Sequence, residues 1–256
     1  MWSLLFIFIL IISLAILLYR MKILFAAGGA MALSYFDASK YGGGQEFEAK
    51  FLDVDVEKLR EKLQEIGATK VHDRKLYRRV AYRLEKARGF ARVRDEGDKV
   101  TMTVKIYSSK SKFPEEYEVT VAEDFNTARK FMENLGMQQK AYQETYREKW
   151  AFSGCNEIAI DTIPGLPTYV EIDCASEAKV TETAQLLGFD MANAHYGSFA
   201  LTYEEEYGIP QKIINEETPI LTFESAKNAL APHVIKNKEK FHNTIKAQLK
   251  LFSAGK

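Results

Sequence analysis

Charged and apolar side chains alternate in the segment from Glu46 to Phe51, which reads Glu-Phe-Glu-Ala-Lys-Phe. Because side chains on a β-strand point alternately to its two faces, Glu46, Glu48 and Lys50 share one face and the apolar residues share the other. Two carboxylates beside an ammonium group suit a divalent cation and a phosphate. A solvated strand face has the same pattern, so this segment alone favours neither interpretation.

Later segments repeat this alternation of charged and apolar faces. Arg92 and Arg94 share a strand face, and a tight turn at 96–98 leads to Lys105 on the next strand. The other charged positions of this kind are Glu116, Glu118, Arg147, Lys149, Asp161, Glu171 and Asp173. If the apolar faces pack outward against helices, these charged faces must line a shared lumen. Unpaired buried charges are costly, so such a lumen must be wet, internally paired or occupied.

The residue types on these faces favour a phosphate chain and a metal ion. Arginine-rich cations suit an oligophosphate, because guanidinium groups match phosphate oxygens. The cations are Lys50, Arg92, Arg94, Lys105, Arg147 and Lys149. Clustered carboxylates suit Mg²⁺ or Mn²⁺, which prefer oxygen ligands and usually share them with substrate phosphates. The chain lacks a G-x-x-x-x-G-K-[ST] motif, which excludes a P-loop NTPase.

Composition limits the remaining classes of function. The 256 residues include 35 basic and 35 acidic side chains, so no overall field favours nucleic acid. Cys155 and Cys174 are the only cysteines, and they fit no metal-ligand spacing. We therefore predict that each is a small buried side chain, rather than a disulfide partner or a zinc ligand. The four histidines form no i, i+4 pair and are assigned no chemistry.

Three helices are predicted between the strands, each starting at a side chain that can cap it and ending at glycine. Their caps and terminal glycines are Asp55 with Gly67, Asp124 with Gly136, and Ser176 with Gly188. Roughly eight strands accompany them, with separate strands near 69–77 and 81–84. The pattern predicts an α+β fold in which the helices cover the outside of a barrel.

Residues 1–22 are predicted to be a transmembrane anchor. Residues 2–19 carry no charge and Arg20 and Lys22 follow, which places the next domain in the cytoplasm by the positive-inside rule. A secretory signal peptide would carry basic residues before the apolar run instead. Translation from Met21 would give a soluble cytoplasmic protein. Residues 23–44, which end in three glycines, are predicted to be a linker.

Residues 45–207 resemble the CYTH superfamily, also called the triphosphate tunnel metalloenzymes. The segments that carry the resemblance stand in family order: Glu46-x-Glu48-x-Lys50, Arg92-Val-Arg94, Thr103-Val-Lys105, Glu116-x-Glu118, Arg147-x-Lys149, Asp161 and Glu171-x-Asp173. The last acidic pair is commonly Glu-x-Glu in the family, and Asp173 shortens the reach toward a metal by one methylene. Residues 208–256 lie outside the family pattern and are predicted to be a largely helical extension.

The resemblance implies an eight-stranded antiparallel tunnel with helices outside, and it gives the charged residues roles. The set implied to bind the triphosphate and catalyse its reaction is Lys50, Arg92, Arg94, Lys105, Arg147 and Lys149. The set implied to hold one or two Mg²⁺ or Mn²⁺ ions is Glu46, Glu48, Glu171 and Asp173. Asp161 would orient Arg147 or a lysine.

Two reactions and one binding function are consistent with such a site. A triphosphatase would direct water to the terminal phosphorus of inorganic, thiamine or nucleoside triphosphate, and we favour it because water needs no further specificity element. A class IV adenylyl cyclase would convert ATP to cyclic AMP and pyrophosphate. A non-catalytic polyphosphate- or nucleotide-binding module is disfavoured, because all four implied metal ligands are present. The expected partners are the triphosphate, the membrane through the N-terminal segment, and a second copy in a homodimer, without nucleic acid.

Overall fold

The computed structural model describes residues 44–107, 109 and 113–253. The predicted transmembrane anchor and all but the last residue of the predicted linker lie outside these residues. Within the described ranges, no helix has the length and apolar character that crossing a membrane requires.

A curled antiparallel sheet forms the centre of the fold. Its strands are β1 (Gly44–Gln45), β2 (Phe47–Phe51), β3 (Thr69–Arg83), β4 (Gly89–Asp95), β5 (Val100–Ile106), β6 (Glu115–Val121), β7 (Gln139–Ala151), β8 (Cys155–Thr162) and β9 (Tyr169–Cys174). Neighbouring strands follow the order β1-β6-β5-β4-β3-β7-β8-β9-β2. The chain segment that contains β1 and β2 therefore bonds to β6 at its start and to β9 at its end. The predicted α+β class and its antiparallel strands are confirmed.

Three helices follow strands of this sheet where the sequence predicts them. They are α1 (Val56–Glu65), α2 (Phe125–Asn134) and α3 (Glu177–Leu186). Asp55, Asp124 and Ser176 each accept a hydrogen bond from a backbone N–H of the first helical turn, which satisfies donors that have no partner inside the helix. Each helix is followed by a glycine with positive φ, a conformation that costs other residues steric strain.

The apolar strand faces pack against these helices. Ala49, Phe51 and Ile172 of β2 and β9 contact the buried side of α1 and α3, including Leu63 and Val180. A second buried group joins β3, β4 and β5 to α2. Because side chains alternate along each strand, this outward packing turns the charged faces toward the inside of the curl.

The chain after α3 adds a helical layer around one part of the sheet. Its elements are α4 (Phe199–Tyr207), a π-helical turn (Ile213–Glu217), β10 (Ile220–Leu221, parallel to β7), α5 (Ala226–Leu230) and α6 (Lys238–Ser253). Gln248 of α6 fastens this layer to the β8–β9 turn. Its amide donates to the carbonyl oxygens of Ile163 and Leu166 at 3.0 and 2.9 Å and accepts from the N–H of Gly165 at 2.8 Å.

The prediction for the two cysteines is wrong in one respect. Cys155 and Cys174 lie opposite each other on β8 and β9 and form a disulfide bond. Cys174 is buried, as predicted, but the bond depends on the register of two strands that are joined by a long turn. A sequence separation of 19 residues gives no indication of that register.

Candidate active site

The interior of the curled sheet contains most of the charged residues that the sequence singles out. Side chains that face each other across antiparallel strands share a face, and the register pairs Lys50 with Glu171, Glu48 with Asp173, and Arg147 with Asp161. Those of the predicted residues that are at least nine-tenths buried are Glu48, Lys50, Arg92, Arg94, Lys105, Arg147 and Asp161. The sheet therefore brings the predicted residues of seven strands into one enclosed, charged space.

Arg147 is surrounded by carboxylates on the β7–β9 side of this space. Its Nε and Nη2 donate to Asp161 Oδ1 and Oδ2 at 2.8 and 2.5 Å, and Nη2 also lies 3.2 Å from Glu171 Oε1. Glu157 contacts Nη1. Burial alone would lower the pKa of Arg147, but these carboxylates outweigh it and hold the pKa above its usual value. Asp161 thus fixes the plane of the guanidinium by a two-pronged contact.

Arg92 and Arg94 occupy the β4–β6 side. Arg92 donates from Nε to Thr103 Oγ1 at 3.1 Å and lies 3.2 Å from both Glu116 and Glu118. Arg94 donates to Glu96 Oε1 at 2.5 Å, and its Nη2 lies 3.4 Å from Glu118. Glu96 is almost fully buried although the sequence places it in a turn. These arginines are therefore held by internal ion pairs.

Two lysines and a row of carboxylates form the third part of the interior. Lys105 Nζ lies 2.5 Å from Glu46 Oε2 and 3.0 Å from Glu116 Oε2. Lys50 Nζ lies 2.7 Å from Glu48 Oε1 and 3.3 Å from Glu171 Oε2. Each ammonium group therefore links two carboxylates from different strands.

The acidic residues of this part differ in how well their charge is compensated. Burial, together with neighbouring carboxylates, raises the pKa of Glu46, and burial raises the pKa of Asp173 to about 8. Glu171 shows the opposite: burial would raise its pKa, but Lys50 and Arg147 hold it below the usual range. Negative charge near Glu46 and Asp173 is therefore under-compensated, whereas Glu171 is already neutralised by the protein.

This charge distribution fits a divalent cation by its chemistry. Within the described residues, no three histidine, cysteine or acidic side chains are gathered closely enough to hold a metal ion. Glu46, Glu48 and Asp173 nevertheless supply hard oxygen donors, and raised carboxyl pKa values at two of them mean that an added positive charge would be stabilised there. Glu171 fits less well because Lys50 and Arg147 already contact it.

Lys149, the last of the predicted cations, lies nearer the rim. Its side chain is 25% exposed and its Nζ lies 2.5 Å from Glu157 Oε2. The sequence interpretation left out Glu157, although this residue lies on the same face of β8 as Asp161. Burial would raise its pKa, but Arg147 and Lys149 lower it to about 2, so Glu157 is ionised.

Arg79 is the second interior residue that the sequence interpretation missed. It lies opposite Arg94 of β4 and Gln143 of β7. Its Nε donates to Gln143 Oε1 at 3.0 Å and its Nη2 contacts Thr145 Oγ1 at 3.4 Å. Among the described ion pairs, in contrast to the other interior arginines, Arg79 has no carboxylate within 4 Å. Burial, with the nearby arginines, lowers its pKa to about 10.

The sequence interpretation missed Arg79 because it divided β3. Strands were predicted near 69–77 and 81–84, so residue 79 fell in the gap between them. The structure has a single strand from Thr69 to Arg83, which pairs with β7 over residues 69–82 and with β4 over residues 78–83. Extending the alternation from Tyr77 to Ala81 would have placed Arg79 on the interior face.

The fold and the site together define an α+β protein with a curled antiparallel sheet and an interior of paired charges. The family model described as the CYTH domain matches residues 44–194, which is more than half of the chain. The chain therefore belongs to the CYTH family, as its motifs predict. No curated protein matches the chain.

Solved structures align with the chain at low sequence identity. A protein from Vibrio parahaemolyticus described as a putative adenylate cyclase aligns with a TM-score of 0.54 and 13% identity, over 62% of this chain and 97% of that one. A conserved hypothetical protein from Pyrococcus furiosus aligns with a TM-score of 0.49 and 21% identity, over 59% of this chain and 94% of that one. A Hippeastrum protein described as a putative adenylyl cyclase with a dominant triphosphatase activity aligns with a TM-score of 0.41 and 14% identity, over 60% of this chain and 91% of that one.

Proposed function

We propose that the protein is a metal-dependent phosphohydrolase that acts on a small molecule with a triphosphate group, bound inside the curled sheet as in a tunnel. The observation that carries this proposal is an interior with three buried arginines and the half-buried Arg79, which has no carboxylate partner among the described ion pairs. A buried unpaired cation is costly, and an anionic ligand removes that cost. Membership of the CYTH family is consistent with this substrate class.

The interior cations would hold the phosphate chain by exchanging partners. Arg92, Arg94 and Arg147 now bind carboxylates, and phosphate oxygens offer the same two-pronged acceptor geometry. Lys50 and Lys105 would exchange carboxylate for phosphate oxygens in the same way, as compact point charges. Lys149 would bind a phosphate oxygen at the rim of the interior. Asp161 would keep Arg147 oriented during this exchange, because its contact with the guanidinium leaves Nη1 facing Glu157.

The carboxylates that the lysines release would become available to a metal. Glu46, Glu48 and Asp173 would hold Mg²⁺ or Mn²⁺, with Glu171 as a fourth donor once Lys50 turns to phosphate. A bound divalent ion supplies charge neutralisation at the phosphoryl oxygens and a more acidic water. The protein's own contribution is then to position the phosphate chain and to exclude bulk water. Phosphoryl transfer depends mainly on positioning and charge neutralisation.

Turnover by the purified full-length chain tests this function. We expect orthophosphate from tripolyphosphate, ATP or thiamine triphosphate with Mg²⁺ or Mn²⁺, and none with EDTA. Cyclic AMP with pyrophosphate from ATP would replace the proposal by the cyclase reaction. An absence of turnover with every substrate and both metals would leave only a binding function.

A variant of Glu48 tests the metal ligands. Glu48→Gln removes one charge and keeps the volume, so we expect it to abolish metal-dependent turnover without changing the circular dichroism spectrum. The matched control is Glu61→Gln on the exposed side of α1, which makes the same chemical change far from the interior. Full activity of the Glu48 variant would remove this residue from the metal site.

A further inference from the structure

A pocket of about 500 Å³ lies between the charged interior and the segment 197–216, which follows the family-matched residues. One wall comes from the sheet and includes Arg79, Phe90 and Tyr107. The opposite wall comes from residues 197–216 and includes Phe199 and Asn215. Since the family match ends at residue 194, this second wall lies outside the family-matched residues.

The pocket is continuous with the interior through two arginines. Arg79 and Arg92 line the pocket and also belong to the group of interior cations. A phosphate chain bound by those cations therefore has one end at the entrance of the pocket. Whatever group is attached to that end enters the space between the two walls.

The pocket offers flat apolar surfaces together with amide groups, and four cations, Arg79, Arg88, Arg92 and Lys140, also line it. The ring centroids of Phe90 and Tyr107 are 6.5 Å apart, and the Arg79 guanidinium carbon lies 5.1 Å from the centroid of the Phe199 ring. The amide oxygen of Gln143 accepts from Arg79, and the amide nitrogen donates no hydrogen bond among the described residues. Asn215 accepts from Lys140 at 3.1 Å.

The aromatic faces and the amide group match a heteroaromatic ring, whereas the cations that line the pocket match the phosphates attached to that ring. Pockets for small molecules commonly measure about 300–1,000 Å³ and combine aromatic walls with a few polar groups. Inorganic triphosphate can accept a hydrogen bond from an amide N–H, but it has no group that uses aromatic faces. A nucleobase or a similar nitrogen heterocycle has both a π-face and hydrogen-bonding edges.

We propose that this pocket binds the heteroaromatic group of an organic triphosphate, so that the segment 197–216 selects organic over inorganic triphosphate. The inference rests on the proposed function for the phosphate end of the ligand. Phe199 stacks on the ring, Gln143 donates to its edge, and Arg79 binds the phosphate nearest to it.

Binding measured in EDTA separates this inference from the proposed function, because it needs no turnover. The probes are tripolyphosphate, ATP, GTP, CTP and thiamine triphosphate, titrated calorimetrically into the full-length protein. We expect at least one organic triphosphate to bind more tightly than tripolyphosphate. If every organic member bound no more tightly than tripolyphosphate, the inference would be overturned even if hydrolysis were observed.

Two pocket variants and one control complete the test. Phe199→Leu keeps apolar volume but removes the ring, and we expect the preference for the organic probe over tripolyphosphate to fall about tenfold. Asn215→Ala changes the same wall without touching the core, and we expect a smaller fall in the same direction. Phe131→Ala is the control, because Phe131 lies 57% exposed on α2 and should leave the preference as it is. An unchanged preference in both pocket variants would contradict the inference, whereas inactive protein that keeps the preference would contradict only the hydrolase function.

Discussion

Replacing Arg79 by methionine should stabilise the protein without ligand and weaken its binding to triphosphate. The pKa of Arg79 is lowered from 12.5 to about 10, mainly by burial. This shift corresponds to about 3 kcal/mol of unfavourable free energy for the charged group in the folded state. Because the folded-state pKa lies below the unfolded one, the penalty is complete at neutral pH and disappears only as the pH rises through 10 to 12.5.

The variant also loses two favourable contacts, which limits the gain. The hydrogen bonds that Arg79 donates to Gln143 and Thr145 contribute about 1 kcal/mol each to the stability of the unsubstituted protein. We therefore expect Arg79→Met to raise the free energy of unfolding by about 1 kcal/mol in urea denaturation. The affinity for tripolyphosphate in EDTA should fall about 10- to 100-fold, which corresponds to one lost charge-assisted contact.

The neighbouring residue provides the control for this experiment. Arg78 lies on the opposite face of β3, where its exposed side chain pairs with Asp95. Arg78→Met should change the free energy of unfolding by no more than about 0.5 kcal/mol and should leave tripolyphosphate binding intact. A loss of about 3 kcal/mol in Arg79→Met would mean that a carboxylate neutralises Arg79 in the ligand-free protein, and it would refute the reasoning. An unaltered tripolyphosphate affinity would place Arg79 away from the ligand.

Three further predictions concern other parts of the interior and its support. Arg92→Ala should weaken tripolyphosphate binding by about 1.5–3 kcal/mol, and calorimetry that shows no change would place Arg92 outside the binding site. Glu157 has a pKa lowered to about 2, so its stabilising effect is present above pH 4.5 and is lost as the pH falls toward 2. Glu157→Gln should therefore lower the melting temperature at pH 7 but have little effect near pH 2, and an equal loss at both values would rule out this ionic contribution. Gln248→Leu leaves three backbone groups without their partner and should cost about 2–4 kcal/mol in urea denaturation, whereas a cost below 1 kcal/mol would show that water replaces the amide.

Local features of the fold were predictable because they depend on neighbouring residues. The helix starts at Asp55, Asp124 and Ser176 follow from side chains that can accept a backbone hydrogen bond. The interior position of Lys50 and Arg92 follows from alternation alone once the apolar face is assigned to the helices. Neither feature requires knowledge of which strands are neighbours.

Features that depend on strand register were not predictable in the same way. The disulfide between Cys155 and Cys174 requires two strands to meet in space. Glu96 was missed for another reason: it lies only two residues after Arg94, but the sequence places it in a turn. Arg79 was lost because a strand of 15 residues was divided where no turn exists. The wall at 197–216 has no periodic pattern that would place Phe199 over Arg79.

Under the proposed function, the internal ion pairs imply that metal and triphosphate would assist each other's binding. Lys50 lies beside Glu48 and Lys105 beside Glu46 without fully compensating the charge near Glu46, so a metal ion would compete with two ammonium groups for the same oxygens. A bound triphosphate would draw the lysines to its own oxygens and free the carboxylates. The coupling is reciprocal, since a metal that frees the lysines must increase triphosphate affinity by the same factor. The ion pairs of the interior would therefore also be the ones that couple the binding of metal to the binding of triphosphate.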